Sequence, residues 1–255
     1  MIFTFKRIGF LTLLLGLFFL NFSCNKTEVI SNVTLSKGGI ALTFDDYSID
    51  NWHKYMKLFD SLNVKATFYI SNFNRLNREQ KIKLHELQNH GHEIAFHSTN
   101  HVNFLKYANE NKCDKLLKEE VLDGLHLMNN DGFYPTTFAY PYGQHNEILD
   151  KLLLKYFKSV RALNGTTNLD KSLSKLESNR IIYGLGIDES SKRNLDKIKD
   201  LLSQAQQNNS CAVLLVHNIE RSDITMQCPL WKLKEIILKA KSLNLKFYTI
   251  SEISN

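Results

Sequence analysis

Two short clusters of polar residues carry side chains that bind metal ions or move protons. Asp45 and Asp46 directly follow an apolar segment, and His97 and His101 stand four positions apart. Two histidines at that spacing can bind one ion, and one carboxylate would complete a three-ligand site with open positions, as in catalytic zinc sites. The other carboxylate would then act as a general base on water, whose pKa a metal ion lowers toward neutrality.

Each cluster also has a purely structural interpretation. Aspartates that precede a helix satisfy free backbone N–H groups, and Asp46 or Asp50 would suit that role. The histidine pair alone specifies little, because nine histidines in 255 residues produce such pairs by chance. Both interpretations stay open while the motifs are taken singly.

A further histidine occupies a comparable position. His217 follows the apolar segment 212–216, and at the mouth of a barrel it would be placed to protonate a leaving amine. The alternative is a hydrogen-bonded histidine at the edge of the core.

The segments between these residues alternate between strand and helix patterns. We predict strands over residues 40–44, 66–70, 92–97, 136–140, 159–163, 180–183, 212–216 and 247–250, and helices over 52–62, 79–89, 116–128, 147–157, 194–206 and 231–243. Such alternation predicts parallel strands with right-handed crossovers, and seven or eight units predict a distorted (β/α) barrel in a single domain. Functional residues of such barrels gather at the carboxyl ends of the strands, where these aspartates and histidines fall.

The first 23 residues differ from the rest of the chain. A basic start is followed by an uncharged run rich in Leu and Phe, which Ser23 and Cys24 close. This resembles a bacterial lipoprotein signal over residues 1–23, with a lipid anchor on Cys24. The alternatives are ordinary signal cleavage nearby or an uncleaved anchor. A tether over residues 24–36 would then lead into the domain at 37–255, and we expect export and attachment to the bacterial cell envelope, on its periplasmic or outer face.

Composition narrows the classes of function. Hydrophobic residues make up 43% of the chain and charged residues 23%, which is typical of a globular protein. The net charge of +6 is not gathered into a run of like charges, so we expect no nucleic-acid partner. Cys113, Cys211 and Cys228 match no zinc motif, and Cys211 is expected to be buried. Nothing in the sequence indicates an oligomeric state.

Four motifs together carry a resemblance. TFDD at 43–46, HSTNH at 97–101, FAYPYG at 138–143 and LLVH at 214–217 stand in the order and rough spacing found in NodB-like polysaccharide deacetylases of carbohydrate esterase family 4. The resemblance spans about residues 37 to 255 and implies a distorted barrel.

The resemblance also implies a role for each residue. Asp45 would be the general base and His217 the general acid, and the backbone N–H of Tyr142 would help to stabilise the oxyanion. The metal, usually zinc with cobalt or nickel as possible substitutes, would be held by Asp46, His97 and His101.

The sequence departs from the family pattern at Ala139, where many members have an arginine that orients the base. Arg180, at the start of a predicted strand, is a candidate to replace that arginine near the substrate, although it is equally explained as a surface charge. The family's aspartate partner for the acid histidine is also unclear, and Asp188 is a weak candidate.

The resemblance therefore implies an enzyme that removes N-acetyl groups from an N-acetylglucosamine polymer such as peptidoglycan, poly-N-acetylglucosamine or chitin. Removal of O-acetyl groups is a close alternative, because the same chemistry serves esters. Hydrolysis of small non-sugar amides agrees poorly with an export signal. A non-catalytic carbohydrate-binding barrel would predict the loss of a ligand or of the base, and all of them are present.

Overall fold

The computed structural model of the protein describes residues 38–220 and 225–254. The predicted signal at 1–23, the tether at 24–36 and the anchor residue Cys24 lie outside these ranges and stay predictions. Among the described residues, no helix has both the length and the apolar character needed to cross a bilayer.

Seven parallel strands close into a barrel. The described part contains β1 (Gly39–Asp46), β2 (Ala66–Ile70), β3 (Glu93–Phe96), β4 (Thr137–Ala139), β5 (Ser159–Leu163), β6 (Leu173–Lys175), β7 (Ile181–Gly186), β8 (Ser210–Val216), β9 (Asn218–Ile219), β10 (Gln227–Cys228) and β11 (Lys246–Phe247). The ring runs β1-β2-β3-β4-β5-β7-β8, and β8 pairs with β1 to close it. Pairing between β3 and β4 is limited to Phe96 and Phe138, which distorts the ring. The predicted distorted (β/α) barrel is confirmed.

Helices surround the ring. They are α1 (Ile49–Lys54), α2 (Met56–Ser61), α3 (Arg78–Asn89), α4 (Phe104–Glu110), α5 (Cys113–Leu117), α6 (Asp123–Asn130), α7 (Glu147–Leu153), α8 (Leu195–Gln207), α9 (Leu230–Ser242) and α10 (Ile250–Ile253). Two predicted helices are interrupted. The helix at 52–62 breaks at Tyr55, and the helix at 116–128 contains a π-helical turn at Lys118–Leu122.

The last predicted strand is also shorter than expected. β11 ends at Phe247, because Thr249 and Glu252 form a capping box that starts α10. Ile250 and Ile253 of this short helix join the apolar residues inside the barrel. The backbone N–H of Ile250 donates to Thr67, near the start of β2, so α10 covers the amino-terminal end of the ring.

Side chains alternate between the two faces of each strand. On β1, Phe44 faces the helices and stacks on Phe68 with ring centroids 5.1 Å apart, while Ala41 lies in the separate apolar cluster inside the ring. The same alternation on β5 turns Arg161 inward, where it is buried.

Several single residues differ in burial. Trp52 is buried, but Trp231 is 62% exposed, because it lies on the solvent face of α9. His92 is buried and packs edge-on against Phe59 and Phe68. Cys211 is buried as predicted, and it is a free thiol, as are Cys113 and Cys228.

Candidate active site

One cavity of about 290 Å³ collects the residues expected to do chemistry. It opens at the carboxyl ends of the barrel strands, where β1 ends at Asp46 and β8 ends just before His217. Its lining includes all six residues expected at the reacting centre and its metal, which are Asp45, Asp46, His97, His101, Tyr142 and His217. It also includes Arg161, which the sequence did not single out, whereas Arg180 is absent from this lining.

Asp46, His97 and His101 form a compact group of ligand atoms. One ligand atom from each residue lies within 4.8 Å of the other two. His101 Nε2 is 3.1 Å from Asp46 Oδ1, and His97 Nε2 is 3.7 Å from the same oxygen. Nδ1 of His97 lies 2.8 Å from the carbonyl oxygen of Ala139, so this nitrogen is the donor and Nε2 keeps its lone pair toward the group.

The loop that carries the two histidines is held by a buried glutamate. Glu120 accepts hydrogen bonds from the backbone N–H and the side-chain amide of Asn100, at 2.9 and 2.8 Å. The loop needs such support because Ser98 and His101 adopt positive φ angles of 66° and 57°. Glu120 reaches the loop from the π-helical turn, a distortion often found near functional sites.

The electrostatics of the group favour a charged Asp46 beside a neutral His97. Burial raises the pKa of Asp46, but the hydrogen bond with His101 and the charges of His97 and His217 outweigh burial. The pKa of Asp46 is therefore lowered to about 2. Burial lowers the pKa of His97 to about 4, although Asp45 and Asp46 oppose that change. At neutral pH the group therefore presents an anionic oxygen and an unprotonated imidazole, which are the forms that bind cations.

Asp45 is held by an arginine inside the barrel. The carboxylate Oδ2 accepts a hydrogen bond from the guanidinium of Arg161, and both side chains are buried. Oδ1 of Asp45 is also buried and has no hydrogen-bond partner among the described residues. Gly184 makes room for this pair, since a Cβ there would lie 2.9 Å from Cδ of Arg161. One oxygen of Asp45 is therefore oriented and the other is available to a ligand.

The expected role of Arg180 is wrong. Its guanidinium donates to the carbonyl oxygens of Lys158, Leu154 and Phe157, at 2.9, 2.7 and 3.0 Å. Arg180 immediately precedes β7, so it lies at the amino-terminal end of the ring. The six residues of β7 span about 20 Å, which is too far for its side chain to reach the cavity.

His217 is paired with Asp188, the weak candidate for this role. Nδ1 of His217 lies 2.6 Å from Oδ2 of Asp188, which leaves Nε2 as the second titrating nitrogen. Burial lowers the pKa of His217, but the hydrogen bond with Asp188 and the charges of Asp45, Asp188 and Asp46 raise it above its usual value. The imidazole of His217 therefore keeps its proton to a higher pH than an ordinary histidine does.

Two tyrosines at the cavity differ in exposure. Tyr142 is 61% exposed, adopts a φ of 60°, and places its ring 5.0 Å from that of His101. Tyr140 is buried, and its hydroxyl donates to Asp150 at 2.8 Å. Of the two tyrosines, Tyr142 is therefore the one whose side chain can contact a large ligand.

A match to a known family decides the identification. Residues 32–157, about half of the chain, match the family described as "Polysaccharide deacetylase". The chain belongs to the polysaccharide deacetylase family. The matched segment contains the aspartate pair, the two histidines and Tyr142, and His217 lies beyond it.

Two curated proteins match this chain over part of their length. A probable peptidoglycan-N-acetylglucosamine deacetylase from Arthroderma benhamiae is 29% identical over 133 residues, covering 51% of this chain and 29% of the relative. A peptidoglycan-N-acetylglucosamine deacetylase from Bacillus cereus is 32% identical over 120 residues, covering 46% and 40%. The chain thus spans about a third of the length of these curated relatives.

The barrel is also similar to a solved structure. A mutant of the peptidoglycan deacetylase PdaC from Bacillus subtilis superposes with a TM-score of 0.57 at 20% identity, covering 86% of this chain and 91% of that one. At this identity the likeness concerns the fold.

The group of Asp46, His97 and His101 fits a divalent cation. Ligand atoms about 2.0–2.2 Å from one ion at tetrahedral angles are about 3.3–3.6 Å apart. The distances of 3.1 and 3.7 Å from Asp46 Oδ1 to the two imidazole nitrogens bracket that range. A carboxylate with two imidazoles leaves a fourth position open, as in a catalytic site.

Proposed function

We propose that the protein is a metal-dependent hydrolase that removes N-acetyl groups from an N-acetylglucosamine-containing polysaccharide. The observation that carries the proposal is the meeting, in one cavity, of a group suited to a cation, a buried carboxylate with a free oxygen, and a histidine whose pKa is raised. Hydrolysis of an amide needs these three elements: activation, a base and an acid.

A divalent ion held by Asp46, His97 and His101 would polarise the acetamide carbonyl and make a nearby water more acidic. Asp45 then accepts the proton of the attacking water on Oδ1, because Arg161 occupies Oδ2. Zinc is the proposed ion, with cobalt and nickel as possible substitutes.

The second proton transfer belongs to His217. As the bond between the acyl carbon and the nitrogen breaks, Nε2 donates its proton to the nitrogen, and acetate and a free amine leave. The backbone N–H of Tyr142, at the cavity wall, is proposed to donate to the carbonyl oxygen as its negative charge grows. Leu163, Leu215 and Met226 make the remaining wall apolar, which suits a small acyl group.

The substrate class is supported by the names of the curated relatives, both of which are peptidoglycan-N-acetylglucosamine deacetylases. Peptidoglycan, poly-N-acetylglucosamine and chitin-like oligomers are therefore the polymers to test first. The partner of the protein is then a polysaccharide, not a nucleic acid.

The experiment is acetate release by the purified full chain from these three substrates. The protein is first stripped with a chelator and then supplied with zinc, cobalt or nickel. We expect metal-dependent release from at least one polymer, and an Asp45→Asn variant that loses release by about 10²–10⁴-fold while it still binds polymer.

Other outcomes would redirect or refute the proposal. Release from acetylated xylan alone would make the protein an O-acetyl esterase. Tight polymer binding with metal bound, but no turnover of any acetylated substrate, would show a carbohydrate-binding protein instead.

We further propose that the chain is exported and anchored by a lipid on Cys24, which the sequence pattern of residues 1–23 supports. Metabolic labelling with a radioactive fatty acid tests this. We expect label in the wild-type chain and none in a Cys24→Ala variant, and label in neither would contradict the anchor.

A further inference from the structure

A second cavity, of about 270 Å³, adjoins the candidate active site. The two cavities share four lining residues, which are Leu163, Leu215, His217 and Met226. The far side of the second cavity is formed by the loop after β5 and by the turn before α8, with Asn164, Gly165, Ser190, Ser191 and Arg193. His217 therefore stands between the metal-binding group and a separate pocket.

Arg193 is the basic side chain of this second pocket. It is half-buried and forms no ion pair among the residues that the structure describes. Its guanidinium donates a hydrogen bond to the carbonyl oxygen of Thr166 at 3.3 Å, which holds it over the loop and leaves further N–H groups without partners in the part of the chain that the structure describes.

The other charged groups at the two cavities already have partners. Asp188, the carboxylate that lines the second pocket, accepts hydrogen bonds from Nδ1 and the backbone N–H of His217, at 2.6 and 3.3 Å. The charge of Arg161 is neutralised by Asp45. Arg193 thus has no counterion among the described residues, and guanidinium groups bind carboxylates through paired hydrogen bonds.

The position of His217 indicates which part of a substrate would reach Arg193. Nε2 of His217 has to approach the nitrogen attached to the sugar ring. In that pose, substituents on the neighbouring ring carbon, or on the adjoining sugar, would lie beside His217, where the second pocket adjoins the first.

We propose that Arg193 binds a carboxylate carried by the polymer beside the reacting acetamido group. This rests on the proposed function and narrows it, because it favours an anionic amino-sugar polymer over a neutral one. Such a carboxylate is found in the lactyl ether of N-acetylmuramic acid and in uronic acids. The shared chemistry is a sugar carboxylate within one residue of the amide that is cleaved.

The test compares Arg193→Gln with Arg193→Lys and with Lys192→Gln, a matched change on an exposed neighbour that does not line the pocket. The substrates are peptide-free peptidoglycan strands, the same strands methyl-esterified, oligomers alternating N-acetylglucosamine with glucuronate, and chitin oligomers.

We expect Arg193→Gln to raise the ratio of KM on carboxylated strands to KM on chitin oligomers by about tenfold to hundredfold. Arg193→Lys should recover part of that ratio, and Lys192→Gln should leave it as in the wild type. Methyl esterification of the strands should raise this KM ratio in the wild type by a similar factor. It should not raise the ratio further in Arg193→Gln. A response with peptidoglycan strands or with the glucuronate oligomers identifies the source of the carboxylate.

The same glycans are also titrated calorimetrically against each protein, so that the inference is tested whether or not any of them is hydrolysed. If Arg193→Gln binds the carboxylated glycans more weakly than the wild type does, and binds the neutral glycans equally well, the inference is supported even if the proposed function fails. Equal changes on charged and neutral glycans, or no change on either, would overturn it.

Discussion

Arg161 and Asp45, which are 116 residues apart in the sequence, form an ion pair in the interior of the barrel. In the register of β4 and β5, Arg161 lies directly opposite Ala139. Ala139 is the position where the resemblance implies an arginine that orients the base. In this protein the neighbouring strand supplies a guanidinium to Asp45, and we propose that Arg161 is a positioning residue for Asp45.

Replacing Arg161 by Met should lower kcat by about 10²-fold or more, because the buried carboxylate loses both its orientation and its counter-charge. Steady-state kinetics of acetate release measure the effect.

A charge-relocating variant separates positioning from folding. Ala139→Arg, combined with Arg161→Ala, returns a guanidinium to the strand next to β5. We expect it to recover part of the activity lost in Arg161→Ala alone. A double variant that is folded, as judged by circular dichroism, but no more active than Arg161→Ala would contradict a role in orienting Asp45.

Asp188 should control the protonation of His217. Because the hydrogen bond with Asp188 raises the pKa of His217, Asp188→Asn should lower it, and the acid form is then lost at lower pH. We expect the alkaline limb of the kcat profile to move to lower pH. An unchanged alkaline limb in this variant would exclude His217 as the group that donates the proton.

Glu120 should support metal binding without touching the ion. Glu120→Ala removes both hydrogen bonds to Asn100, and a supporting residue of this kind changes metal affinity by about 10–100-fold. Competition with a chromophoric chelator measures the Kd for zinc. Glu119→Gln, on the same π-helical turn but bonded to Tyr107, is the matched control and should bind zinc like the wild type. Equal affinities in all three proteins would refute the supporting role.

His92 should make stability depend on pH. Burial lowers its pKa to about 4, and its Nδ1 accepts the backbone N–H of Ala66 at 3.1 Å, which requires the neutral imidazole. The unfolded chain therefore binds a proton more readily between pH 6.5 and 4. The free energy of unfolding contributed by neutral His92 is fully present above pH 6.5 and is lost as the pH falls, by up to about 3 kcal/mol.

Urea denaturation at pH 7 and pH 4.5 measures that contribution. In His92→Gln the loss of stability between the two pH values should be smaller than in the wild type, by about 2–3 kcal/mol. The matched control is His126→Gln, at an exposed position, which should keep the wild-type dependence. The same dependence in His92→Gln and in the wild type would show that His92 does not titrate in this range.

The alternation of strand and helix patterns was sufficient to predict the barrel, because each pattern reports the local burial of one element. The same argument placed Asp45, Asp46, His97 and His217 at strand ends, and these residues do line one cavity. Local patterns did not predict the break at Tyr55 or the π-helical turn, because both depend on how the helices pack and not on spacing.

The sequence by itself determined which residue types stand at the carboxyl ends of the strands, and so the kind of chemistry that the barrel can perform. Only the tertiary structure decided which arginine serves Asp45. Ser159, Arg161 and Leu163 alternate with apolar neighbours, so the sequence indicates that Arg161 shares a face with them, but no local pattern identifies its partner across the ring. The closure of the barrel brings Arg161 to Asp45 and leaves Arg180 at the opposite end, because contacts across a closed ring depend on strand order and register.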